Sequence, residues 1–367
     1  MPPLFDRAAI GRLELGNRFV RSATWEGMSD GMGAPTERLI SLYEALAEGG
    51  VGLIVTGYAF VHEGGKQMPN GLGIHSDALI PPFKELTRRV HAKGGRIVAQ
   101  QFHGGGQASR KSSGLSPIAP SAMSLPQYPE VPVEMTREDI RHMAAAFGRA
   151  AGRAKKAGFD GVQIHGAHGY LISQFLSPLT NRRNDEYGGT IGNRSRFLVE
   201  TARAVRSAVG SEYPVWVKLN GDDFLPGGFS LEDAVEVART LEKEGIDAIE
   251  VSGGTPASGD RTPARANIDS TAKEAYHREL ARAIKRRVGV PVGLVGGLRS
   301  PSVMEEIFRA GDADFFSMAR PLIREPGLVK RWASGDLSKA GCISCNGCFS
   351  AGLKEGGIRC VHDRRQG

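Results

Sequence analysis

Eight short apolar runs, nearly all followed by a helical pattern, predict an α/β chain that closes as a single-domain (β/α)8 TIM barrel. The runs themselves support this: VGLIVTG at 51–57 is apolar without alternation, as a strand covered on both faces must be. So do the polar residues His165, Gln100, Lys218, Ser252, Gly296 and Arg320, which all fall at or just past run ends. In such a barrel the loops after the strands converge on one face, and that face carries the chemistry.

Taken in order, Asn17 to Ser22 is the first strand, followed by a helix from about Glu37 to Glu48 and a second strand at Val51 to Gly57. A helix near Pro81 to Lys93 begins with proline, which a first helical turn tolerates, and a third strand spans Arg96 to Phe102. His103 to Thr136 is rich in Gly, Ser and Pro, and a loop of that length is uncommon unless it covers a site. Helix Arg137 to Ala157 stops at Gly158, strand GVQIH follows, and a long loop leads to a helix starting near Asn193. The second half predicts strands at Val215–Leu219, Ala248–Ser252, Pro291–Val295 and Asp314–Met318. Its helices are expected at Leu231–Glu244, Thr271–Val288, Pro301–Ala310 and Leu328–Ser334. Residues 1–336 are expected to form the barrel and 337–367 a C-terminal extension that holds all four cysteines.

A net charge of +7 raises nucleic acid as a partner, but the basic residues alternate with acids on helix faces, as in ARTLEKEG, so nucleic acid is not expected. No run approaches the ~18 apolar residues of a membrane span. The start, MPPLFDRAAIGRLEL, lacks the basic and apolar pattern of a secretory signal, which makes the cytoplasm the expected location, with no membrane partner. Glycine supplies 49 of 367 residues, against about 7% in ordinary proteins, favouring tight turns and close backbone approach to a ligand.

The stretch from Gly158 to Gly189 carries the densest chemistry, with His165, His168 and Tyr170 at the end of an apolar strand. His-x-x-His can supply two metal ligands, but no acidic third ligand stands at a fitting position. Two imidazoles beside a phenol suit donors that hold a carbonyl oxygen while the phenol supplies a proton. Near the end of the barrel, Val295-Gly296-Gly297-Leu298-Arg299-Ser300-Pro301 leads into a helix, and the last strand runs into Ala319-Arg320. Glycine amides beside a helix start, together with an arginine fork, suit an anionic phosphate.

These residues carry a resemblance that runs along nearly the whole chain. NRFVRSAT, VAQQFH, HGAHGYLISQFLSPLTNRRNDEYGG with NRSRF, VSGG, VGGLRSP and SMARPLIREP resemble the Old Yellow Enzyme family of flavin-dependent ene-reductases. The resemblance implies FMN bound non-covalently at the barrel mouth, reduced by NADH or NADPH and reoxidised by an α,β-unsaturated carbonyl compound, a small-molecule enone. It assigns Gln100 to the flavin pyrimidine edge, Ala23 and Ala59 to backbone contacts with the ring, and Gly296, Gly297 and Arg320 to the phosphate. Ser22, Thr24, Trp25, His165, Gly253 and Ala319 complete the implied cofactor contacts. Lys218 stands where the family usually has arginine beside flavin N1. His165 and His168 resemble the pair that holds the substrate carbonyl oxygen, and Tyr170 the proton donor. Trp25 departs from the family, which commonly has cysteine or threonine there; Gly106 and Gly192 replace a usual arginine and glutamate.

Cys342-x2-Cys345-x2-Cys348-x11-Cys360 resembles the four-cysteine segment of 2,4-dienoyl-CoA reductases and trimethylamine dehydrogenase, with one residue fewer between the second and third cysteines. In those relatives the segment holds a [4Fe–4S] cluster and further nucleotide-binding domains follow. Cluster, zinc and unliganded thiols stay open for this chain. Two other functions compete with the ene-reductase: a flavin-dependent demethylase or dehydrogenase, for instance of amines, and a redox subunit that passes electrons to a partner through these cysteines. A homo-oligomer is compatible with either.

Overall fold

The computed structural model describes residues 3–362, so the outermost residues of the two expected units, 1–2 and 363–367, lie outside the described residues. Eight parallel strands close on themselves: β1 (Phe19–Arg21), β2 (Leu53–Phe60), β3 (Ile97–Phe102), β4 (Val162–Gly166), β5 (Val215–Asn220), β6 (Ala248–Ser252), β7 (Val292–Val295) and β8 (Phe315–Met318). Neighbours pair in sequence order, and β1 pairs with both β2 and β8, which is the closure. Helices α1 (Glu37–Glu48), α2 (Ile80–Ala92), α3 (Arg137–Lys156), α4 (Arg196–Val209), α5 (Leu231–Lys243), α6 (Arg278–Lys285) and α7 (Pro301–Arg309) surround the strands. Two more, α8 (Leu328–Ala333) and α9 (Gly347–Glu355), follow, and further short helices stand at Arg110–Ser113, Leu171–Leu176, Ile191–Arg194 and Arg320–Arg324.

Local chemistry accounts for these elements. The Thr136 hydroxyl accepts the Asp139 amide at 3.1 Å and the Asp139 carboxylate accepts the Thr136 amide at 2.8 Å, a reciprocal cap worth about 1 kcal/mol at the start of α3. The apolar face of that helix buries Ile140, Met143 and Phe147, at roughly 1.5–3 kcal/mol for each large side chain.

Three departures from the expected elements bear on where the site lies. An antiparallel hairpin pairs residues 8–10 with 13–15 ahead of the first strand. Its Ile10 shares a small interior space with Val20, Leu53, Trp216 and Ala248, closing the end where the strands begin and leaving the opposite face for a site. The helix expected over 271–288 is broken into a 3-10 turn at Thr271–Lys273, an extended link and α6. Ala275 takes a left-handed φ of 53°, which no helix interior accommodates, and His277 Nδ1 lies 2.9 Å from the Val295 carbonyl. The third feature is α9, in the cysteine-bearing segment. That segment returns to the barrel: the Ala340 amide donates to the Arg299 carbonyl at 2.9 Å, and the Ile358 amide to the Glu26 carbonyl at 2.8 Å.

Candidate active site

The strand ends enclose one large cavity, with about 1470 Å³ of space that is partly open to solvent. Ser22, Ala23, Thr24, Trp25, Gln100, His165, His168, Tyr170, Lys218, Gly296, Gly297, Ala319 and Arg320, each expected from the sequence, all line it. Ala59 and Gly253 are not brought to it. The backbone of Ala59 is engaged in pairing with Leu72 and Gln101, and its neighbour Tyr58 reaches the cavity instead. Gly253 packs against His277 and Phe224.

At one end stand the two histidines and the tyrosine. His165 lies on β4, and its ring centroid is 5.1 Å from those of both His168 and Tyr170. His168 adopts a left-handed φ of 63°, a strained conformation held by its amide donating to Asn220 Oδ1 at 3.2 Å and its carbonyl accepting from Gln107 at 3.1 Å. Its Nε2 lies 2.8 Å from Ser252 Oγ. Tyr170 stands edge-on to Phe102, 4.6 Å between ring centroids. Burial holds both imidazoles well below the ordinary histidine range, with Lys218 acting in the same direction. Burial also pushes the Tyr170 phenol up to about 12, against a weaker opposing effect of Gln67. The rings are therefore neutral imidazoles beside a protonated phenol at neutral pH. Because His165 Nδ1 accepts the Ala167 amide at 3.3 Å, the neutral ring carries its proton on Nε2 and can donate from there.

The floor is a polar chain through the barrel. Gln100 donates to Gln163 at 2.6 Å, Gln163 to Glu250 at 2.7 Å, and Ser22 Oγ to Glu250 at 2.9 Å; Lys218 Nζ donates to Ser22 Oγ at 2.9 Å. Burial raises the Glu250 carboxyl, but Lys218, 3.5 Å away, and the hydrogen bonds from Ser317, Gln163 and Ser22 outweigh it and hold the carboxyl below its ordinary range. Neither Gln163 nor Glu250 belongs to a motif, and their signal in the sequence is a polar residue inside an apolar strand. They hold Gln100 and Lys218 in place from behind the lining.

The other end is cationic. Gly297 has φ of 71°, and a methyl group there would fall 2.8 Å from the Tyr276 ring, so a close approach requires glycine. The Gly296 and Gly297 amides expected to meet an anion border the cavity, while the next amides, of Arg299 and Ser300, are taken by Glu274 at 2.8 and 2.9 Å. Two arginine side chains stand beside these glycines. Buried Arg299 donates to the Ile268 carbonyl through Nη1 and leaves Nε buried without a partner. Arg320 donates through Nη1 to the Arg265 carbonyl at 2.8 Å and to Asn346 Oδ1 at 2.7 Å. Among the described residues, no carboxylate pairs with either guanidinium. Two buried, uncompensated cations beside glycine backbone fit a phosphate group, and the polar floor with Lys218 fits the heteroatom edge of a flavin.

The four cysteines line a second, smaller cavity, which Arg320 also borders. Among the described residues, no three His, Cys, Asp or Glu side chains lie close enough to hold a single metal ion. Nor is any helix long and apolar enough to cross a membrane.

Residues 3–338 match the NADH:flavin oxidoreductase / NADH oxidase family. A metal reductase of Desulforamulus reducens is 38% identical over all of this chain, which covers 54% of that protein. An NADPH dehydrogenase of Geobacillus is 40% identical over 77% of this chain and 79% of its own length. Among solved structures, a 2-naphthoyl-CoA reductase complex superposes with a TM-score of 0.85 at 29% identity, over 93% of this chain and 55% of that one. The old yellow enzyme homologue from Zymomonas mobilis gives 0.80 at 28% identity, over 92% and 94%. The chain thus spans about half the length of the metal reductase and of an NADH oxidase from Thermoanaerobacter brockii that it also matches, 54% of each.

Proposed function

The chain belongs to the NADH:flavin oxidoreductase / NADH oxidase family and is an oxidoreductase of Old Yellow Enzyme type, and from that premise we propose that it reduces the C=C bond of α,β-unsaturated carbonyl compounds at the expense of NADH or NADPH. FMN, when bound, supplies the hydride chemistry between the nicotinamide and the substrate. Every other task falls to side chains of the chain itself. The Nε2–H of His165 and a ring N–H of His168, kept uncharged by burial, hold the substrate carbonyl oxygen and draw electron density from the alkene. Tyr170, kept protonated by the same burial, gives a proton to the α-carbon. Lys218 places a fixed positive charge where the flavin edge would lie, and Trp25, Tyr58 and Met68 help keep water from the reacting atoms.

The observation that carries this reading is that two neutral donors and one acid, within 6.4 Å of one another by ring centroid, open on the same cavity. An amine substrate would find no carboxylate among the cavity-lining residues to hold its charge. The test is an anaerobic screen of enones that follows flavin reoxidation, with His168→Ala as control. Reoxidation by enones that weakens in the variant supports the reading, and its absence with every enone sinks it.

A second reading concerns the thiols. Their placement around one cavity would suit an iron–sulfur cluster, in which each iron takes one thiolate, or a tetrahedral zinc ion. Ultraviolet-visible spectra with iron and zinc analysis of anaerobically purified protein decide it. A flavin-only spectrum without metal removes the cluster.

A further inference from the structure

Trp25 lines the same cavity as His165, His168 and Tyr170, at a position where the family resemblance expects a far smaller residue. Its indole is fixed from three sides. Nε1 donates to the Pro69 carbonyl at 3.0 Å. The six-membered ring sits between two glycines: a methyl group at Gly27 would lie 2.7 Å from Cζ2, and one at Gly352 would lie 2.8 Å from Cζ3. Gly27 has φ of 66°, so backbone conformation alone explains glycine there. Gly352 lies within helix α9, where any residue except proline fits the backbone, and the space for a side chain is taken first by the indole and then by Ile358, whose Cγ2 would lie 3.0 Å from an added methyl group.

The same helix enters the site directly, since Phe349, one turn before Gly352, lines the cavity. Its end is tied to the Trp25 loop, since the Ile358 amide donates to the Glu26 carbonyl at 2.8 Å, and to α1, where Arg38 donates to the Gly356 carbonyl at 3.0 Å. Interiors packed to crystal density transmit displacements, so the indole and the helix cannot move independently.

We propose that Gly352 is a positioning residue for Trp25, and that Trp25 and Phe349 together set the size of the unsaturated substrate admitted; the size limit rests on the ene-reductase reading, whereas the positioning does not. The cysteine-bearing segment thereby supplies a wall of the substrate site.

The test compares Gly352→Ala, Gly352→Val, Trp25→Leu and the two double variants in the FMN-loaded full chain. Gly352→Ala adds one methyl group and raises helix propensity, so a defect in it cannot be assigned to a weakened helix. Kinetics read the ratio of KM for a fused-ring enone to KM for 2-cyclohexenone. Independently, the fluorescence of Trp25 and its quenching by acrylamide are read as the difference between each protein and its Trp25→Leu counterpart. Gly352→Val is expected to raise the KM ratio about tenfold when Trp25 is present and less than about twofold in the Trp25→Leu background, the non-additivity expected of two residues in contact. Gly352→Ala should change it in the same direction by less, and both should increase quenching of Trp25. Equal effects in the two backgrounds, or unchanged quenching, overturn the positioning role. Altered quenching with an unchanged KM ratio overturns the size limit. Failure of the unaltered chain to turn over either enone defeats the ene-reductase reading and the size limit with it, while the fluorescence still decides whether Gly352 positions Trp25.

Discussion

At the His165 end of the cavity three ionisable rings are neutral because they are buried; at the Gly297 end two buried arginines have no carboxylate paired with their guanidinium groups among the described residues. Burying a neutral imidazole or phenol removes only its charged form, so that end is complete as it stands and sets its own protonation. A buried guanidinium keeps its charge and lacks a counter-ion, so the other end is incomplete until an anion arrives. One end is therefore built for chemistry and the other for retention.

The largest effect that tests this division is at Tyr170. Tyr170→Phe should lower kcat with an enone by about 10²–10⁴-fold while leaving flavin reduction by NADPH unchanged, which stopped-flow measurement of each half-reaction checks. Equal loss in both halves would break the comparison, since the phenol would then serve binding as well. At the opposite end, Arg299→Ala and Arg320→Ala should each weaken FMN binding roughly 10- to 100-fold, as loss of a charge-assisted hydrogen bond does, with little change in the enone step once FMN is saturating. Titration of the apoprotein with FMN measures this.

A pH series sharpens the first half of the comparison. Burial holds His103 and His277 down at about 3, and His165 and His168 well below the ordinary range. Their folded values lie below the ~6.5 of the unfolded chain, so below that pH the unfolded state binds more protons and stability falls with pH. The stabilisation is fully present above about pH 6.5 and is lost progressively toward 3, each histidine contributing a slope of up to about 1.4 kcal/mol per pH unit. Urea unfolding between pH 4.5 and 7 should show this slope, and His103→Gln should reduce it by about one proton's worth. The smallest change is Gly297→Ala, which strains a left-handed residue by about 1–2 kcal/mol and should lower the unfolding midpoint and FMN affinity together.

Much of the fold was legible because a strand covered on both faces must be apolar throughout, and each such run ends where a polar residue is needed. The trio His165, His168 and Tyr170 was legible because it is local, six residues at one strand end. What stayed hidden depends on partners distant in the chain. Glu274 reads as an ordinary helical acid, yet it turns aside to cap Ser300 and breaks the helix in which the pattern placed it. Arg299 stands in the stretch read for its glycines, and only its bond to the Ile268 carbonyl shows that its side chain is buried there. Trp25 read as an exception to its family, and its explanation lies more than three hundred residues away at Gly352.

The capping of α7 by Glu274 bears on how such a protein changes over generations. An anion site made from backbone amides survives most substitutions, because every residue brings the same amide. Here a carboxylate has claimed the amides of Arg299 and Ser300 and leaves those of Gly296 and Gly297, so an anion at this end would meet both glycine amides and arginine side chains. The arginine share of such a site is open to mutation while the glycine share persists with the backbone, so its affinity for an anion can be tuned in descendants without rebuilding the barrel.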